Sequence, residues 1–580
     1  MPRRALTGAL LLAVLALAAP SAAVAFDPAV EAQNYGKGQE RKAIYDTPAY
    51  RQLLAQVSAQ NSAAALAIQA SDPERQFEDH LCWNGTDGCA GDVRLYDWQD
   101  KGYGIVQPVT WTARSGATIS GHVWATRAGP AKRPGIVITN GSVQADEQLY
   151  WFVAQVLAKS GYVVLTSDPQ GQGQSDTRGE APDGNEGVPA QSDGRPFFDG
   201  TEDAINFFLS TPQHPYQPVK SCETGTSHAP KQTRRAKAGL NAAYNPFWSL
   251  VDPGRLGIAG HSYGAAGVSY IGQADPRVDA IVAFDNLAGT NPNGTGVGSE
   301  RPCPSNPAAR ATVPITKPAL GMSADYFIPP EPNTADPDPL AKSVESRAYS
   351  AAGVDSGELI IRGGTHYDFD WIPNDGFPAT LRGADMIDWY ATAWFDRYVK
   401  HDLQADRRLR TNRWRHDAQE GAVDPNHDAN MFSFYYRSRL DFGRGATRFL
   451  CEDMRPGCPG LSDDDGVAGT YDYLAIARSA DHPGAGSALG GQGLRVCTSR
   501  RRIVIHIHRA HGVRVKRILA RVGKRVVGRS QKRRRVTVRL TGLPRQTARV
   551  NLRITARRHG RTVRLRRHRT YHTCEPKRRA

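Results

Sequence analysis

The sequence predicts an α/β protein, a mostly parallel sheet with helices on both faces, followed by a small C-terminal antiparallel β-sandwich. Three observations carry this. Between Gly135 and Ile361, short continuous apolar runs alternate with stretches of helical periodicity, the pattern of a parallel sheet covered on both sides. From Arg502 onward the period changes to two, apolar against arginine, as in half-buried antiparallel strands. Charge changes with it: residues 495–580 hold 30 of the 73 Lys and Arg but one of the 57 acids, Glu575. The preceding residues are acidic on balance, so a strongly basic domain follows an acidic body.

A chain of 580 residues exceeds one ordinary domain. Its start carries Arg3 and Arg4, then the apolar run Ala9–Ala19, too short to span a bilayer, then an A-x-A site at Ala23-Val24-Ala25. Residues 1–25 therefore read as a secretory signal, with an extracellular mature chain beginning near Phe26. Eight cysteines fit that compartment. Their spacing suggests the pairs Cys82–Cys89, Cys222–Cys303, Cys451–Cys458 and Cys497–Cys574, although spacing alone does not fix connectivity. No C-x-x-C pattern points to zinc.

Residues 26–101 read as an N-terminal helical extension ending in a disulfide loop. Arg51–Ala70 is rich in Ala, Leu and Gln and free of Gly and Pro. Residues 102–445 form the central α/β domain. It opens with a hairpin, Ile105–Thr112 and Thr118–Thr126, turning at Ser115-Gly116. Strands are expected at Gly135–Thr139, Tyr162–Thr166, Leu256–Ala259, Asp279–Phe284, Ala319–Met322 and Glu358–Ile361. Helices are expected at Glu147–Lys159, Asp199–Ser210 and Leu381–His401. Two polar insertions, Gly171–Pro196 and Thr211–Pro246, interrupt the rhythm and are expected near the mouth of a site. Residues 446–494 read as a linker with a short disulfide loop. Asp463-Asp464-Asp465-Gly466 within it lacks the spacing of a calcium loop.

The chemistry centres on Gly260-His261-Ser262-Tyr263-Gly264, which follows an apolar strand and precedes small residues. G-x-S-x-G at a strand-to-helix turn is the form of a nucleophile elbow. A serine nucleophile needs a base, and the base needs an orienting carboxylate. Asp325 follows one downstream strand and His366 follows the next, on the loop Arg362-Gly363-Gly364-Thr365-His366. The expected triad is therefore Ser262, Asp325 and His366. Asp285 also follows a strand and is a rival acid. Oxyanion donors are expected from the Tyr263 N–H and, on the loop Asn140-Gly141-Ser142-Val143, the Ser142 N–H.

These residues resemble a known superfamily. Val137–Ser142, the run Tyr162–Asp168, the turn Asp168-Pro169-Gln170-Gly171-Gln172-Gly173-Gln174-Ser175 and the elbow together resemble the α/β-hydrolases. Among them the likeness is to the dienelactone-hydrolase and cutinase-like polyester-hydrolase branch, over about residues 102–402. The resemblance implies an α/β-hydrolase fold and a serine esterase acting on small or polymeric carboxylic esters, with no cofactor and no metal. The oxyanion loop departs from the His-Gly pair of many esterases, and the insertions would reshape a polyester-hydrolase cleft. A serine peptidase or acyltransferase would use the same triad. A non-catalytic protein binding envelope polyanions on a hydrolase scaffold is the alternative from another class.

Residues 495–580 form the basic domain. Strands are expected at Arg502–Arg509, Val513–Val526, Arg535–Leu540, Arg549–Thr555 and Thr562–Arg566. A surface this basic attracts polyanions such as acidic envelope polymers, nucleic acid or anionic lipid. Tyr571 is the one aromatic residue in 495–580, which argues against specific nucleic-acid recognition. His506-x-His508 puts two imidazoles on one face, too few by themselves for a metal site.

Overall fold

Eight-residue segments rich in Thr, Val and Ile open the fold as an antiparallel hairpin, Ile105–Thr112 (β1) and Thr118–Ala125 (β2). The structure is a computed structural model. It describes residues 26–36, 48–76, 90–461 and 502–571, less short internal segments of which 412–429 is the longest. The expected signal segment 1–25, the pairs Cys82–Cys89 and Cys497–Cys574, and the linker from residue 462 lie outside the described residues. The chain divides into two compact units, Met1–Gly493 and Leu494–Ala580.

In the first unit the apolar runs become buried strands: Arg133–Thr139 (β3), Val163–Ser167 (β4), Val251–His261 (β5) and Ala280–Phe284 (β6). A two-residue ribbon, Val297–Gly298 (β7) with Thr312–Val313 (β8), stands apart. Ala319–Ala324 (β9) and Ser356–Ile361 (β10) complete the parallel centre; Arg439–Phe442 (β11) and Phe449–Cys451 (β12) close the far edge antiparallel. The order is β1-β2-β4-β3-β5-β6-β9-β10-β11-β12.

Helices cover both faces. Trp151–Lys159 and Leu381–Tyr398 pack on one face; Arg195–Phe208 and Tyr263–Ala274 pack on the other. The strand residues divide accordingly: Val137, Leu165 and Ile258 join Phe197, Phe208 and Val268 in one apolar cluster. Ahead of the sheet, Pro28–Gly36 (α1) and Pro48–Ser71 (α2) are helical; α2 buries Tyr50, Leu54 and Val57. Two disulfides join Cys222 to Cys303 and Cys451 to Cys458. Among the described residues no helix is long and apolar enough to cross a membrane.

The chain runs β3 to β4 on one side of β3, then returns to place β5 on the other. The connections therefore diverge between β3 and β5. A crevice opens beyond the carboxyl ends of two such strands, and ligands of open α/β sheets bind there.

One insertion lies largely elsewhere than expected, although its Cys222 N–H donates to Glu186 Oε1 (3.0 Å) of the other insertion. Residues 211–246 pack on the edge strand β1: Ala242 N–H donates to Thr110 O (2.8 Å), and the Tyr216 hydroxyl donates to Thr112 O (3.0 Å). The sheet order puts β1 at the edge away from β10, which carries the His366 loop. The basic residue Arg235 of this insertion is buried against Asp72 at the end of α2.

The second unit has two antiparallel sheets. Arg502–His506 (β13) pairs with Arg535–Arg539 (β16). The other has the order β15-β14-β17-β18, from Val513–Val522 (β14), Arg525–Gln531 (β15), Ala548–Arg558 (β17) and Arg561–Tyr571 (β18). Ile505, Ile518, Val538, Val550, Leu552 and Ile554 share one buried core. The single strand expected over Val513–Val526 is instead two strands, because Gly523 (φ +55°) turns the chain back on itself.

Candidate active site

β5 ends at His261, and Ser262 follows with φ +56° and ψ −120°. An L-residue rarely adopts that backbone, and strain of this kind collects at functional turns. The flanking glycines explain how it is tolerated. A Cβ on Gly260 would lie 2.3 Å from Gly264 O, and one on Gly264 would lie 2.3 Å from Asn140 O. The elbow is thus packed backbone to backbone against the loop after β3. Tyr263 begins the helix Tyr263–Ala274, so its N–H lies at a helix N-terminus, where donors face outward.

The loop after β3 is held at both ends of one residue. Gly141 N–H donates to the Tyr150 hydroxyl (2.9 Å), and Gly141 C=O accepts from Gln172 Nε2 (3.0 Å). A trans peptide points its C=O and N–H in opposite directions, so the Gln172 contact fixes where the Ser142 N–H points. The Tyr150 hydroxyl, which accepts from Gly141, is also hydrogen-bonded with His261 Nδ1 (2.7 Å). Burial holds His261 well below its ordinary pKa, helped by the neighbouring His366, so its imidazole is neutral.

His366 lies on the loop after β10, buried, with its ring centroid 4.5 Å from that of His261. Its Nδ1 is 2.5 Å from Asp285 Oδ2. Asp285 directly follows β6, the neighbour of β5, and has φ +43°. The triad assignment of Asp325 is therefore corrected. The Asp325 carboxylate is buried and engaged elsewhere: it accepts from Asn34 Nδ2 (2.8 Å), Gly363 N–H (2.7 Å) and Ser433 Oγ. Position after a strand did not separate the two acids. Adjacency to β5 does, and strand order is invisible in the sequence. Asp325 instead pins the loop that carries His366, through the Gly363 N–H. Burial raises the pKa of Asp325, and the three hydrogen bonds oppose that rise.

Sequence reading also missed Tyr150 and Gln172. Gln172 lies within the turn Asp168–Ser175, but nothing in that turn reveals that its amide reaches Gly141. A third missed group is Glu358 on β10. Burial and the nearby Asp285 charge push its carboxyl up to about 8, although it accepts a hydrogen bond from Ser323 Oγ.

The rim beside the histidine is apolar. Exposed Phe327 meets the His366 ring edge to face at 4.8 Å. On the other side, Gly194 of the insertion 171–196 lies against the Tyr263 ring, where a Cβ would come within 2.1 Å. A cavity of about 40 Å³ opens nearby, lined by Thr139, Ser167, Gln170, Glu186 and Asp199 among others. Burial raises Glu186 to about 7 and Asp199 to about 6. Glu186, Asp199 and Cys222 bring possible ligand atoms within 4.8 Å of one another. Cys222 is bonded to Cys303, however, and Arg114 (3.7 Å) and Arg195 (3.4 Å) flank Asp199. That charge balance suits an ion-pair cluster better than a cation.

No family model matches the chain, and no curated protein matches it.

Proposed function

We propose that the protein is an exported serine hydrolase of the α/β-hydrolase fold that cleaves carboxylic esters. The observation that carries this reading is the buried Asp285–His366 pair beside a strained serine at the switch point between β3 and β5. In the mechanism, Ser262 attacks the ester carbonyl and His366 Nε2 takes the hydroxyl proton. Asp285 holds Nδ1–H and stabilises the imidazolium. The Ser142 and Tyr263 N–H groups receive the developing oxyanion. His366 returns the proton to the leaving alcohol. Water, activated the same way, releases the acid from the acyl-enzyme. The phenylalanine on the rim favours an apolar group on one side of the ester.

Labelling with a fluorophosphonate and turnover of nitrophenyl butyrate test the proposal together. The wild-type protein should be labelled and active, and Ser262→Ala should lose both. Undiminished turnover by that variant would overturn it.

A further inference from the structure

The face of the β15-β14-β17-β18 sheet that points away from the core carries arginine in a two-dimensional array. On β17 the buried residues are Val550, Leu552, Ile554 and Ala556, so Arg553, Thr555 and Arg557 point outward. The register then fixes their neighbours. Arg529, Leu519, Arg553 and Arg566 form one row across all four strands. Arg517, Thr555 and Arg564 form part of the next. Adjacent strands lie about 4.8 Å apart and alternate residues about 6.8 Å apart. Arg553 and Arg566 are thus directly opposed like charges, an arrangement that destabilises a sheet.

Among the described residues of this unit no carboxylate relieves this. From residue 495 to residue 574 the sequence contains no Asp or Glu. At strand spacing the repulsion is within the Debye length of about 8 Å at physiological salt, so small ions screen it poorly. A partner with closely repeated negative groups would match the array and remove the cost.

We infer that this face binds a linear anionic polysaccharide, through paired guanidinium contacts to its repeated carboxylate or sulfate groups. Three features choose this class. The strands lack the aromatic platforms that single-stranded nucleic acid stacks on, save Tyr571 at the end of β18. Arginine is exposed on both sides of the outermost strand, Arg564 and Arg566 on one and Arg567 and Arg569 on the other. A chain can wrap such an edge, whereas a flat bilayer reaches one side. The guanidinium fork also fits the paired oxygens of carboxylate or sulfate at the arginine positions of the array.

The test uses the full chain with heparin as the probe, measured across salt concentrations. Two triple variants remove equal charge: Arg529→Gln/Arg553→Gln/Arg566→Gln on the array, and Lys524→Gln/Arg535→Gln/Arg539→Gln outside it. The array variant should lose at least tenfold in affinity at 150 mM salt, and its salt slope should fall by about two. The control should change less than threefold. Thermal unfolding confirms that both variants are folded. Equal losses in the two variants would show diffuse charge attraction and overturn the assignment of this face. Tighter binding of single-stranded DNA or of anionic phospholipid vesicles than of heparin would overturn the choice of polymer. Absence of heparin binding by the wild-type chain at 50 mM salt would overturn both.

Discussion

Replacing each of two buried aspartates by asparagine separates their roles. At Asp285 the carboxylate meets His366 Nδ1 at 2.5 Å. An asparagine there presents either an amide N–H₂, which forces the proton onto Nε2 and blocks proton removal from the serine, or a carbonyl, which supports the imidazolium without a charge. Losing the wrong-tautomer control in a Ser-His-Asp triad costs about 10³–10⁴ in kcat, or about 4–5.5 kcal/mol of barrier. At Asp325 the same change leaves an oxygen for Asn34 and Gly363, and the Ser433 hydroxyl can rotate to accept from the new amide. What is lost is the charge on those bonds, about 1–3 kcal/mol of stability. Asp285→Asn should therefore keep its melting temperature and lose turnover of nitrophenyl butyrate. Asp325→Asn should melt a few degrees lower and keep kcat within about tenfold. The reverse pattern would refute the Asp285 assignment.

Three further outcomes follow from the geometry. Glu358 has its carboxyl raised from 4.5 to about 8, so the folded state holds a proton the unfolded chain releases; its contribution is complete below pH 4.5 and lost as pH rises through 8, up to about 5 kcal/mol. Glu358→Gln should flatten the fall in melting temperature between pH 5 and pH 9, and an unchanged slope would count against it. Gly141→Ala places a Cβ 3.0 Å from His261 Nδ1 and 3.1 Å from Ser262 Cβ, which displaces the oxyanion loop and should lower kcat/KM about 10–100-fold, checked with the same ester. The Cys222–Cys303 bond spans 81 residues, so the Cys222→Ala/Cys303→Ala variant should be less stable by about 4 kcal/mol in denaturant titration.

Much of the architecture was legible because parallel strands buried on both faces must be continuously apolar. The expected strands at 135–139 and 279–284 lie within a residue or two of the observed bounds, 133–139 and 280–284. The elbow was legible because its glycines are demanded by close backbone approach, and the histidine loop because Gly363 takes φ +61° and a Cβ on Gly364 would lie 2.7 Å from Asp368 Oδ2. The acid was not, since Asp285 and Asp325 have the same local setting and differ only in which strand lies beside β5. The strands β11 and β12 were also missed; they are four and three residues long and depend on tertiary pairing. The residues that hold the loop after β3, Tyr150 and Gln172, act across gaps of 9 and 31 residues, and no spacing rule reveals such contacts.

The clasp on Asp325 has a consequence for the order of folding. Asn34, only a few residues past the expected cleavage site, donates to Asp325 and to Tyr326, while Arg362 donates to its side-chain oxygen. The support of the His366 loop is therefore completed by Asn34, which closes on a carboxylate 291 residues later in the chain. The turn at Ser262 is built from local and neighbouring-strand contacts, but the His366 loop is braced only when the two ends of that interval meet. Trimming α1 should accordingly reduce turnover while fluorophosphonate labelling persists at a slower rate, a signature of a loosened base with an intact elbow.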